Sequence, residues 1–121
     1  MPHHFIHVEI PCTDFDKARE FYEGVFGWKT SYVPEMDYML FETGGGLEGG
    51  FYKSPEHAGR QGVVNYIEVE DIEKTLEAIH RHGGRTIVPQ TCVAESGWFA
   101  LFGDQDGNVL GLWKEIDKVT S

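Results

Sequence analysis

His7 and Glu9 stand two residues apart in the alternating run Phe5-Ile6-His7-Val8-Glu9-Ile10. Side chains alternate sides along a strand, so this spacing puts Phe5, an imidazole and a carboxylate on one face. Such a pair offers two kinds of chemistry, ligation of a divalent cation and general acid–base transfer. Glu68 stands in a comparable run, where Val64, Tyr66 and Glu68 share one face while Val63, Asn65, Ile67 and Val69 share the other. Glu68 and Glu9 are the candidate acid–base carboxylates and His7 the candidate base or ligand. The remaining reactive residues read as structural. His80 and His82, two apart near a helix end, point in divergent directions and complement the helix dipole instead of sharing an ion. Gly44-Gly45-Gly46 and Gly49-Gly50 lack the following helix start with Lys and Ser or Thr that a phosphate loop needs, so turns and bulges explain them. Cys12 and Cys92 have no paired His in their surroundings and read as inert thiols in a reducing, cytoplasmic compartment.

The elements that carry these residues recur along the chain. Asp14 precedes an apolar-periodic run that ends at Gly27, and Asp71 precedes one that ends at Gly84, each 57 residues further on. An Asp before such a run caps the free N–H groups of a first helical turn, and a Gly after it ends the helix. Helices are therefore predicted over about 15–24 and 72–82, each preceded by one of the two strands above. Strand-like runs follow each helix, at about 28–33, 38–42 and 47–52, and again at about 85–88, 98–102 and 109–113. Trp98-Phe99-Ala100-Leu101-Phe102 matches Tyr38-Met39-Leu40-Phe41-Glu42 at an offset of 60. Two tandem modules follow, over about 5–52 and 63–113, inside one domain. The aliphatic face of each first strand packs under its helix, and the helix-free faces of both sheets line a cup. By parity that wall carries Phe5, His7, Glu9, Tyr38, Val64, Tyr66, Glu68, Trp98, Val109 and Trp113. A concave aromatic surface with a few charged groups suits a small organic ligand.

Composition excludes several alternatives. The 121 residues carry 20 acidic and 10 basic side chains, a net charge of −10, and the basic residues form no run. Phosphate-backbone binding needs clustered Lys and Arg, so nucleic acid is not expected as a partner. No stretch approaches the ~18 apolar residues of a membrane helix, and the amino terminus carries no signal-peptide pattern.

The ordered set His7-Val8-Glu9-Ile10, Asp14, Ala18-Arg19-Glu20-Phe21-Tyr22, Phe26-Gly27-Trp28, Val69-Glu70-Asp71, Gly83-Gly84 and Asp104-Gln105-Asp106-Gly107-Asn108 resembles the vicinal oxygen chelate superfamily, the glyoxalase/bleomycin resistance/dioxygenase family. The resemblance implies an α+β, glyoxalase-like fold: two tandem βαβββ modules forming an eight-stranded curved sheet around a cup, with homodimers common. Family members with a metal use His or Gln on the first strand of each module and Glu on the last. Carried over here, those positions fall on His7, on Val64 with Asn65 beside it, on Gly111, and on Phe51. Only His7 is a ligand type, so the sequence weighs against a bound Zn, Ni, Mn or Fe ion. Glu9, Glu68 and Glu48 are the substitute ligands available. Two functions follow. One is a lyase, isomerase or dioxygenase-like enzyme using His7, Glu9 and Glu68. The other is a metal-free binder of the bleomycin-resistance type, with Phe5, Tyr38, Phe51, Tyr66, Trp98 and Trp113 as ligand-binding residues.

Overall fold

Asp14 adopts an extended backbone (φ −153°) and its carboxylate accepts the N–H of Lys17 at 3.1 Å, which starts helix α1 (Phe15–Phe26). Ala18, Phe21 and Tyr22 fall on one stripe of that helix and are buried. Gly27, at φ 69°, ends it in the left-handed conformation that glycine adopts without steric penalty. Asp71 repeats the device by accepting the Lys74 N–H at 3.0 Å and opening α2 (Ile72–Arg81), whose buried stripe is Ile72, Leu76 and Ile79. Both helices thus form where their N-caps and periodicity place them, but α2 stops before the left-handed Gly83 (φ 94°) and not at Gly84.

This computed structural model describes residues 5, 7–60 and 62–116. Ile6, His3 and His4 lie outside the described residues. Among the described residues, eight strands divide equally between two sheets. The first contains β1 (His7–Cys12), β2 (Lys29–Val33), β3 (Tyr38–Glu42) and β4 (Glu48–Lys53) in the order β1-β4-β3-β2. The second contains β5 (Tyr66–Glu68), β6 (Arg85–Val93), β7 (Gly97–Gly103) and β8 (Val109–Glu115) in the order β5-β8-β7-β6. In each, the first strand runs parallel to the last and the other pairs are antiparallel. The fold is α+β and the two βαβββ modules are tandem copies.

One core joins them. Tyr22 stacks on Trp28 (4.7 Å between ring centroids), Trp28 stacks on Phe41 (4.6 Å), and Phe21 reaches Phe102 of the second module (6.3 Å). The turn 104–108 fastens the modules with polar groups. Buried Asp104 accepts from the Tyr22 hydroxyl (3.0 Å), from the backbone N–H groups of Asp106 and Asn108 (both 2.9 Å) and from Asn108 Nδ2 (2.9 Å). Asn108 Nδ2 also donates to the Pro11 carbonyl, and Asp106 accepts from Thr13 through both backbone and hydroxyl.

The structure corrects several expectations. The strand before α2 is short: pairing with β8 begins only at Tyr66, so Val63 does not join an aliphatic face but stands 85% exposed. β6 runs on to Val93, with register irregularities between Thr86 and Val88 and between Val88 and Thr91. Phe51 pairs beside Ile10 and Met39 on the helix side and is fully buried in the core, not in the cup. Trp98 shares the helix side with Ala100 and Phe102, packs against the core and lies under Lys114. Phe99, one residue on, takes the helix-free side opposite Trp113.

Candidate functional site

The helix-free face of the first sheet gathers charged residues into one cross-strand row. His7 pairs with Glu48, Glu48 with Glu42, and Glu42 with Lys29. Directly opposed carboxylates repel, and among the described residues neither Glu42 nor Glu48 has an ion-pair partner. A cleft of about 430 Å³ lies over this row, lined by His7, Lys29, Ser31, Leu40, Glu42 and Glu48 among others.

Beside the row, Tyr38 reaches across from β3. Its hydroxyl lies 2.7 Å from Nε2 of His7 and donates to Oε2 of Glu9 at 2.9 Å. Burial, and then the Glu9 carboxylate it bonds, push the Tyr38 hydroxyl up to about 12. The phenol therefore keeps its proton at neutral pH. Gly50 makes the reach possible, because a Cβ there would collide with the Tyr38 ring and hydroxyl. In the second sheet a tyrosine also covers a glycine, but from the first strand of its module: Tyr66 of β5 covers Gly111, and a Cβ at position 111 would strike its ring.

The strand register shows which residues are equivalent. Glu9 pairs with Gly50 and Tyr66 pairs with Gly111, so Gly50, not Phe51, is the counterpart of Gly111. The four positions that the resemblance matches to the ligands of metal-dependent family members thus hold His7, Val64, Gly50 and Gly111. Two have no side chain, one is aliphatic, and the Nε2 of His7 is engaged by Tyr38. These residues do not fit a metal. Among the described residues no group of three or more His, Cys, Asp or Glu is gathered to hold one.

The structure brings His7, Glu9 and Tyr38 together. It does not bring Glu68 to them: Glu68 lies in the other sheet, opposite Trp113. Tyr66 and Trp113 share that second helix-free face, where Tyr66 is 52% exposed. Phe5 stands 84% exposed ahead of β1. Asn65 gives its backbone carbonyl to the Gly111 N–H and borders a separate crevice of about 300 Å³ with Glu9, Tyr52, His57, Arg60 and Val109. Sequence reasoning missed Glu42, Glu48 and Lys29 as a row. Alternation along β2, β3 and β4 carried that signal, but only the strand register aligns the four residues. His80 and His82 do bond separate partners, Thr86 and Glu20.

Comparison with known proteins agrees with this architecture. The profile of the Glyoxalase/Bleomycin resistance protein/Dioxygenase superfamily matches residues 4–112, and the chain belongs to that superfamily. A glyoxylase-like domain-containing protein of Didymella fabae is 29% identical over 109 residues, covering 84% of this chain and 85% of that protein. Among solved structures, the fosfomycin resistance protein FosX of Listeria monocytogenes superposes with a TM-score of 0.78 at 16% identity, covering 98% of each chain. A glyoxalase/bleomycin resistance protein/dioxygenase family enzyme from Burkholderia phytofirmans gives 0.74 at 16% identity, covering 92% of this chain and 98% of that one. At these identities the structural matches speak for the fold alone.

Proposed function

We propose that the helix-free face of the first module binds a small organic molecule carrying a positive charge, without the family's metal centre. The observation that carries this reading is the row His7–Glu48–Glu42–Lys29, whose two central carboxylates oppose each other beneath a cleft of small-molecule size. An ammonium placed between them relieves their repulsion. The site acts as a homodimer in a reducing, cytoplasmic compartment. The exposed Tyr66 supports the former as apolar surface left on the helix-free face of the second sheet, and the free thiols Cys12 and Cys92 support the latter. Nothing in the charge pattern calls for nucleic acid, and no helix among the described residues is long and apolar enough to cross a membrane.

The test is calorimetric titration of a panel of small primary amines and guanidines, beside matched neutral and anionic compounds, into wild type and Glu42→Gln/Glu48→Gln. Saturable binding confined to the cations and lost in the double variant is the expected result. Equal binding of the neutral analogues sinks the reading. Elemental mass spectrometry of untagged protein purified without chelator should find no stoichiometric transition metal, even after soaking with Zn, Ni, Mn and Fe(II).

A second reading, catalysis on the same face, is favoured by the hydrogen-bonded chain from His7 through Tyr38 to Glu9. Of the lyase, isomerase and dioxygenase chemistries, those driven by acid–base transfer have their groups here.

A further inference from the structure

The stretch 54–60, which follows β4, is a built turn. The N–H groups of His57 and Ala58 both donate to the Ser54 carbonyl (3.0 Å each), and the Arg60 N–H donates to the His57 carbonyl (3.2 Å). Gly59 seats this turn on the second module by donating its N–H to Oδ1 of Asn108 at 2.9 Å. No side chain fits there: φ is 81°, and a Cβ would lie 2.7 Å from the Asp106 carbonyl oxygen. The turn thereby holds His57 and Arg60 on the wall of the 300 Å³ crevice between the modules. Arg60 donates from Nε to the Glu56 carbonyl at 2.7 Å, which fixes the plane of its guanidinium. Among the described residues neither of its Nη atoms has a hydrogen-bond or ion-pair partner, although the chain carries 20 acidic side chains against 10 basic ones. An arginine held by Nε keeps its two Nη donors as an end-on fork, and that fork matches a carboxylate.

We infer that this crevice binds a free aliphatic α-amino acid. It is a different site from the cation face proposed above and shares no lining residue with that cleft. The two Nη groups of Arg60 take the carboxylate, one oxygen each. Glu9 borders the same crevice and would repel a simple carboxylate. An α-ammonium turns that repulsion into a second anchor, at the Glu9 oxygen that the Tyr38 hydroxyl does not occupy. Val63, Val109 and Leu110 supply the apolar wall. Val63 stands 85% exposed, and a branched side chain laid against it takes that surface out of water. Inorganic phosphate has neither the ammonium for Glu9 nor an apolar body for Val63, so it is the poorer occupant.

The test follows backbone amides by nitrogen-15 NMR during titration with L-leucine. The comparators are 4-methylpentanoate, which lacks the ammonium, and 3-methylbutylamine, which lacks the carboxylate. Leucine should saturate shifts at residues 57–65 and 108–110, and each comparator should bind there about tenfold or more weakly. Arg60→Gln and Arg60→Lys, with unchanged far-ultraviolet circular dichroism, should both weaken leucine by a similar factor, because lysine keeps the charge and loses the fork. Glu42→Gln/Glu48→Gln should leave leucine binding intact, so the fate of the cation face does not decide this one. Leucine that shifts only amides elsewhere, or fails to saturate at millimolar concentrations, overturns the site. Equal binding of 4-methylpentanoate overturns the amino-acid class, and full binding by Arg60→Lys overturns the fork.

Discussion

At the scale of single residues, the arrangement turns on a side chain that is absent. Gly50 has no Cβ, and that vacancy lets the Tyr38 ring lie across β4 to meet His7 and Glu9. Gly50→Ala should therefore destabilise the protein by about 1–3 kcal/mol, the usual result of inserting a methyl group into filled space. The same change in a Tyr38→Ala background should cost far less, because the colliding ring is gone. Urea denaturation of the four proteins measures the coupling, and additive costs would refute the contact. Tyr38 also has a pH signature. Its hydroxyl is pushed up to about 12 in the folded chain, whereas an unfolded tyrosine titrates near ~10. The folded state thus holds the proton more tightly, so this contribution to stability is full below ~10 and is lost as pH rises through about 12. Ultraviolet titration should show Tyr38, identified by difference from Tyr38→Phe, ionising late in wild type, and its step should move down in Glu9→Gln, where the neighbouring charge is removed and burial remains. None of this was legible in the sequence beyond the placing of His7, Glu9 and Tyr38 on one wall. The reach of Tyr38 depends on which glycine lies beneath it, and five glycines between Gly44 and Gly50 leave that choice to the strand register.

Elements were the most legible level, and they failed at one instructive point. Asp14 and Asp71 announced both helices because a cap and a periodic stripe are local signals, and both act as caps at about 3 Å. Register is not local. The first strands repeat at 57 residues, as Glu9 and Tyr66 do, but the last strands repeat at 61, as Gly50 and Gly111 do, not at 60. A slip of one residue exchanges the two faces of a strand, and that is why Phe51 and Trp98 were expected in the cup while both lie on the core side. The irregularities in β6 are where the second module's register departs from regular pairing. The turn 104–108 belongs to this level as well, since it ties the start of α1 to the second sheet. Burial pushes the Asp104 carboxyl up from its ordinary value, outweighing the four donors that pull it down. Its raised value means that the folded state is favoured by protonation of this group, so its contribution falls as pH rises from the ordinary carboxylate range through the folded value. Asp104→Ala leaves the Tyr22 hydroxyl and Asn108 Nδ2 without this acceptor and should cost about 2–4 kcal/mol, lowering the thermal midpoint. Tyr22→Phe, which removes one donor and leaves Asp104 three, should cost about 1 kcal/mol. An equal loss from both would mean that the turn is not the fastening point.

Over the whole molecule, charge and apolar surface act in opposite directions, and salt separates them. Each copy carries a net charge of −10, so two copies repel one another, while the exposed Tyr66 favours covering the helix-free face of the second sheet. Salt shortens the reach of the repulsion, to about 8 Å at physiological strength, without weakening apolar contact. Dimerisation should accordingly tighten as salt rises, with light scattering moving toward twice 13.7 kDa between low and moderate ionic strength. Tyr66→Glu, with unchanged far-ultraviolet circular dichroism, should hold the protein at the monomer mass across the same range. Binding of a cation over Glu42 and Glu48 should respond in the opposite sense, because salt screens the attraction that carries it. A dimer that tightens with salt while cation affinity falls separates two surfaces by their physics, an apolar face that joins copies and an acidic row that holds a ligand. If both strengthened together, the ligand would be held by apolar contact, and the opposed carboxylates would not be what recognises it.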